Sequence, residues 1–195
     1  MDTLKAEKRD LAVKAKKLRR EGFVTGNVFG KEIEGSIPVQ ITRSDAERLL
    51  KTKNKGSRFV LEVEGRKMNV LLKDISFSTL KGQAENMDFQ ALVEGEKVHS
   101  VAEIVLLNHE KVTTGVLQQL LHEISYKALP SDLVEKVEID AGELHVGDTI
   151  LVKDLAIAAN KNIELITHPE TMVVTVSEAH RAEAEEEGGN DDVDA

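Results

Sequence analysis

Cysteine and tryptophan are absent from the chain, and only five phenylalanines and one tyrosine occur among its 195 residues. The absence of cysteine excludes disulfide bonds, cysteine-based zinc sites, thiol catalysis and iron–sulfur clusters. The longest apolar runs, such as residues 104–107, are too short to span a bilayer, and the first residues lack the apolar segment of a signal peptide. We therefore expect a cytoplasmic protein that does not contact membranes.

Catalytic and metal-binding motifs are also lacking. The six histidines are scattered and form no HExxH motif or i,i+4 pair: His99, His109, His122, His145, His168 and His180. No GxSxG, Walker or dinucleotide-binding pattern is present. We therefore expect no enzyme activity, no metal or other cofactor, and no small-molecule substrate.

Charge is divided unevenly along the sequence. Residues 1–90 contain 19 Lys/Arg and 13 Asp/Glu, whereas residues 91–195 contain 7 and 22. All five phenylalanines lie in the first half. This asymmetry indicates two units that face different partners, with nucleic acid the natural partner of the basic one.

The basic charge is densest in residues 5–20, which contain eight Lys/Arg and two Asp/Glu. Apolar residues are few and follow neither the alternation of a strand nor the period of a helix. We therefore expect an irregular or partly extended arm that ends at Glu21-Gly22. Basic residues that contact phosphates release counterions and supply affinity for RNA or DNA of any sequence. A solvated lysine-rich terminus explains this run equally well. The shortage of aromatics argues against base stacking, so a nucleic-acid target would be a structured helix.

The first half reads as short strands with one helix. Residues 33–43 alternate as a half-buried strand, and Ser44 with Glu47 forms a predicted capping box that starts the helix. Residues 58–73 read as a hairpin that turns at Glu64-Gly65, and a last strand lies around residues 87–89. This pattern predicts a small β-barrel or curled sheet.

The second half is predicted to be mostly β. Strands are expected at residues 98–107, 133–140, 149–153 and 172–176. Residues 115–126 fit helical and strand periods about equally, so both remain open. The fold class is therefore mainly β with minor α (α+β). We divide the chain into a basic barrel domain (residues 1–92), an acidic, mostly β domain (93–177) and a disordered acidic tail (178–195).

Short segments along the chain resemble, in the same order, those of a known family. They include residues 16–22, 28–30, 72–75, 87–90, 115–119, 128–133, 142–148 and 152–155. This ordered series is similar to the CTC (general stress protein) family, bacterial large-subunit ribosomal proteins that bind 5S ribosomal RNA. The resemblance covers about residues 5–177, and the second half matches the longer, two-domain members.

The resemblance implies an N-terminal β-barrel that grips the helical loop E region of 5S rRNA and a mostly β second domain. Lys16, Lys17 and Arg19 match the basic cluster that faces the RNA, and Asp88 matches an RNA-contact position. The candidate RNA-binding residues are thus Lys14, Lys16, Lys17, Arg19, Arg20, Lys73, Asn86 and Asp88. The chain departs from the family pattern at several positions. Val13-Lys14-Ala15 replaces Gly-Ala-Ser, Thr25 replaces Pro, Phe29 replaces Tyr, Ser76-Phe77 replaces Gln-Arg, and Asn86 replaces His.

The function implied is that of a structural component of the large (50S) ribosomal subunit, which binds 5S rRNA through the first domain. Neighbouring large-subunit ribosomal proteins are expected partners of the acidic second domain, because RNA would repel it at short range. The alternative is a stress-associated interaction protein with reduced 5S rRNA recognition, which acts through protein contacts.

Overall fold

The computed structural model describes residues 3–112 and 115–178. Its first part contains six strands and two helices: β1 (Thr3–Lys8), α1 (Ala15–Arg20), β2 (Phe23–Phe29), β3 (Ser36–Thr42), α2 (Arg43–Leu50), β4 (Arg58–Val63), β5 (Arg66–Phe77) and β6 (Ala84–Ala91). The strands form a closed barrel in the order β1-β3-β2-β6-β5-β4. Two neighbouring pairs, β1 with β4 and β2 with β6, are parallel.

Alternating apolar residues fill the barrel with a single core. Phe59 and Phe89 meet edge to face there, with ring centroids 5.9 Å apart, and both are buried. The predicted β4–β5 hairpin is confirmed. Its two turn residues, Glu64 and Gly65, have φ angles of 49° and 83°, the left-handed pair that a two-residue hairpin turn requires.

The structure corrects the prediction of an irregular or partly extended arm over residues 5–20, since only its first residues are extended. Residues 3–8 form the barrel strand β1, in which Leu4 and Ala6 point into the core, and residues 15–20 form α1. Two inward residues suffice for a strand whose two edges are both paired. A single buried side chain, Leu18, holds the short helix against the barrel.

The predicted helix near residue 44 is confirmed as α2, but its N-cap is Thr42 and not Ser44. The Thr42 hydroxyl accepts a hydrogen bond from the Asp45 backbone N–H at 3.3 Å and donates to the Asp45 carboxylate at 2.7 Å. Both the backbone and the side chain of Asp45 therefore bind the capping hydroxyl of Thr42. The N-cap lies two residues before the predicted one.

The second part contains seven strands: β7 (Val98–Leu107), β8 (Val116–Gln119), β9 (Glu123–Ala128), β10 (Lys136–Asp140), β11 (Thr149–Leu151), β12 (Glu164–Leu165) and β13 (Met172–Ser177). They form a four-stranded sheet, β10-β7-β9-β12, and a three-stranded sheet, β11-β13-β8, around a second core. The ambiguous residues 115–126 are thus two strands joined by a turn. The mainly β class with a barrel is confirmed.

One buried polar contact secures this second core. The Tyr126 hydroxyl donates to the Val134 carbonyl and accepts from the Val134 N–H, each at 2.8 Å. Burial raises the pKa of the Tyr126 phenol, so the neutral form is favoured. Residues 179–195 of the predicted acidic tail lie outside the described residues. No helix in the described part of the chain is long and apolar enough to cross a membrane.

Candidate nucleic-acid interface

Helix α1 presents a row of cations because only one of its side chains is needed for packing. Leu18 is buried, whereas Lys16, Lys17 and Arg20 are exposed, as is Lys14 at the N-cap position. Lys17 also approaches Glu21 at 3.8 Å, one turn further along. The structure therefore brings five of the eight predicted RNA-binding residues to one short segment, with Arg19 as the fifth.

Arg19 has a different environment, since it ties the helix to the barrel. Its Nε donates to the Glu85 carbonyl at 3.2 Å, and its guanidinium approaches the Glu85 carboxylate at 3.4 Å. The guanidinium of Arg43 donates to the Arg19 carbonyl at 2.7 Å. These contacts fix α1 between the start of β6 and the start of α2, so the cations of the helix are held in place.

A basic groove of about 360 Å³ lies beside α1. Five cations and one carboxylate line it, together with Ser78, Gln83 and Ala84; the charged residues are Lys16, Arg19, Arg20, Arg43, Lys81 and Glu85. Sequence reasoning missed Arg43 and Lys81. Lys81 was visible only as part of a turn, and nothing in the sequence around Arg43 pointed to the groove. We refer to this surface as the basic groove.

Asn86 and Asp88 lie on the outer face of the barrel next to the basic groove. In the parallel register of β2 and β6, Thr25 faces Asn86 and Asn27 faces Asp88. The Asn86 amide donates to Asp88 Oδ1 at 3.0 Å, and the Asn27 amide approaches the same oxygen at 3.4 Å. The Thr25 hydroxyl lies 3.2 Å from Asn86 Oδ1. Asn86 therefore uses both ends of its amide to position Asp88.

The departures from the family pattern at Ser76 and Phe77 lie close to these residues. Ser76 pairs with Asn86 across β5 and β6, so both project from the same face. Phe77 follows and is 55% exposed, next in the chain to the groove residue Ser78. An apolar ring thus stands near the groove, at the position where the resemblance implies an arginine.

Lys73 is separated from the other predicted residues. The pairing of β5 with β6 shifts register between Leu72 and Asp74, and Lys73 lies at this irregularity. Its ammonium donates a hydrogen bond to the His99 carbonyl of the second part at 2.8 Å. Burial, and then the nearby charge of Lys55, hold the pKa of Lys73 below its usual range. The structure thus directs Lys73 away from the basic groove.

Comparisons with known proteins match both parts of the chain. Residues 4–89 match the ribosomal L25p family, and residues 97–180 match the C-terminal domain of ribosomal protein TL5. Large ribosomal subunit protein bL25 of Listeria monocytogenes is 32% identical over 187 residues, covering 94% of this chain and 88% of the relative. The proteins of the same name from Bacillus velezensis (30% identical, 98% and 97% covered) and Thermoanaerobacter sp. (26%, 94% and 92%) are also similar.

Proposed function

Since the chain belongs to the ribosomal L25p family of large ribosomal subunit proteins, we propose that it binds 5S ribosomal RNA through its basic groove. Membership in this family makes it a non-enzymatic ribosomal protein. In this role it works on cytoplasmic ribosomes and contacts neighbouring ribosomal proteins through its acidic second domain.

The convergence of cations from distant parts of the sequence carries this proposal. Helix α1, Arg43 and Lys81 come together only in the folded barrel. A solvated lysine-rich terminus would not assemble such a groove. Each cation that contacts a phosphate releases counterions, and positions fixed in advance lose less conformational entropy on binding. The groove therefore fits a phosphate backbone held in one orientation.

The outer face beside the groove supplies the groups for more specific contacts. Asp88 receives both neighbouring amides on Oδ1. Among the described residues no donor reaches its Oδ2, which is thus available to an RNA donor such as a 2′-hydroxyl or an amino group of a base edge. In this scheme the basic groove positions the RNA, while Asp88, held by Asn86, reads it.

Gel-shift titration of the full chain tests the proposal. 5S rRNA and an unrelated RNA duplex of similar length are compared at two salt concentrations. We expect tighter binding of 5S rRNA, with a preference that Asp88→Ala reduces, because the reading group is lost. Equal affinity for the two RNAs in the native protein would contradict it.

The exposed ring of Phe77 favours a second candidate, a stress-associated interaction protein with reduced 5S rRNA recognition that acts through protein contacts. Sucrose-gradient sedimentation separates the two candidates. A ribosomal component sediments with large subunits, whereas a free factor stays at the top of the gradient. Under the second candidate, restoring the family-like residues by Ser76→Gln, Phe77→Arg and Asn86→His improves 5S rRNA binding and leaves the unrelated duplex nearly unchanged.

A further inference from the structure

The barrel carries a second group of cations, further along the pairing of β5 with β6 from the basic groove. The groove lies where Phe77 pairs with Ala84, whereas this group lies around Leu71, which pairs with Gln90. We call its members the junction cations: Lys53, Lys55, Arg58 and Lys73.

Each junction cation contacts an oxygen of the second domain. The partners are, in the same order, the carboxylates of Glu135 and Glu123 and the backbone carbonyls of Pro130 and His99. The nitrogen–oxygen distances run from 2.6 Å for Arg58 to 3.6 Å for Lys55. The Lys53 ammonium donates to both Glu135 oxygens, and the Lys53 side chain is 19% exposed.

Close packing accompanies these charge contacts. Val70 and Leu72 point into the barrel core, so Leu71 between them points outward, yet it is fully buried. It lines the junction together with Ser100 and Val101. Gly56 lies so near the second domain that a Cβ there would collide with the Val101 carbonyl. The second domain therefore covers Leu71 and Gly56, whereas Arg58 at the edge of the junction stays exposed.

We propose that the second domain masks the junction cations, so that the basic groove remains the surface of the barrel that binds polyanions. Without the second domain, these four cations would form a competing phosphate-binding surface without sequence preference. The masking carboxylates also repel phosphates. Glu123 and Glu135 thus determine the face of the barrel to which RNA binds. The identification of the polyanion as RNA rests on the proposed function, whereas the masking itself would act on any polyanion.

A steric variant opens the junction without changing its charge. Gly56→Ala places a methyl group against the Val101 carbonyl and imposes strain at a φ of +87°. Gly65→Ala is the matched control, because Gly65 has a φ of +83° but no atom within 4 Å of the added Cβ. Both variants therefore carry similar backbone strain, and only one disturbs the junction.

Two measurements follow the variants. Binding to an unrelated RNA duplex is titrated across salt concentrations, and acetylation of each lysine by an amine-reactive ester is followed by mass spectrometry. We expect Gly56→Ala to accelerate acetylation of Lys53 and Lys73 several-fold and to steepen the salt dependence by about 0.9 per unmasked cation. Gly65→Ala should behave as the native protein does. Unchanged acetylation and salt dependence in Gly56→Ala would overturn the masking.

Charge-neutralising variants provide a second test that keeps the packing. Glu123→Gln with Glu135→Gln removes two masking carboxylates, and Glu138→Gln with Glu143→Gln removes two exposed carboxylates elsewhere in the second domain. The first pair should increase duplex affinity more than the second. Equal increases would show a general charge effect and refute the masking. Because the duplex is unrelated to 5S rRNA, a missing 5S preference would refute the proposed function and leave this result intact.

Discussion

Three exposed cations of the basic groove, Lys16, Arg20 and Lys81, can be removed without breaking the contacts that hold α1. Arg19 is spared because it binds the Glu85 carbonyl and carboxylate. Each lost phosphate contact flattens the slope of log affinity against log salt concentration by about 0.9. The magnitude of this slope should therefore be about 2.7 smaller in the triple alanine variant. If these contacts contribute nothing at 1 M salt, affinity falls roughly 500-fold at 0.1 M and roughly 80-fold at 0.2 M.

The assay is a filter-binding or gel-shift titration of 5S rRNA by the full chain at four or more salt concentrations. The matched control replaces Lys136, Lys153 and Lys161, three exposed lysines of the second domain, and changes the net charge equally. Its slope should stay near that of the native protein. If both triple variants lose the same slope, the affinity reflects net charge and the groove has no special role.

Three further predictions concern stability. Tyr126→Phe leaves the partly buried Val134 N–H and carbonyl without their partner, and should cost about 1–3 kcal/mol in urea unfolding. Since the pKa of Tyr126 is raised, native stability should also decline above about pH 10. Phe89→Ala should cost about 3–5 kcal/mol, because it empties the centre of the barrel. Thr42→Ala should cost about 1 kcal/mol and Ser44→Ala much less, as thermal unfolding would show.

Elements with strong local signals were predictable. The β4–β5 hairpin combines alternating apolar residues with a two-residue turn, and both signals survive in the barrel. Helix α1 has six residues and one buried side chain, so no period was there to detect. Its position depends on tertiary contacts from Glu85 and Arg43. Residues 115–126 were ambiguous because their leucines fit both the helical and the strand period. They form strands because β8 and β9 pair within two different sheets, where their inward apolar side chains pack against the second core.

The site was predictable where its residues are close in sequence. The cations of residues 14–20 lie in one short segment, so the sequence already indicated that they share a surface. Arg43 and Lys81 join them only because the barrel closes. Lys73 was grouped with them on the resemblance alone, but the irregularity in β5 turns its side chain towards the second domain. Sequence spacing carries no signal for such a change of direction.

The parallel pairing of β2 with β6 has a consequence for synthesis of the protein. Partners such as Asn27 and Asp88 are 61 residues apart, so translation at about 5–20 residues per second separates their emergence by roughly 3–12 s. During that interval one edge of β2 lacks its partner, and Glu85 is not yet present to hold Arg19. A nascent chain surrounded by the RNA of the ribosome that makes it therefore exposes basic residues well before it has a groove. Its capacity for ordered RNA binding arises only when the barrel closes.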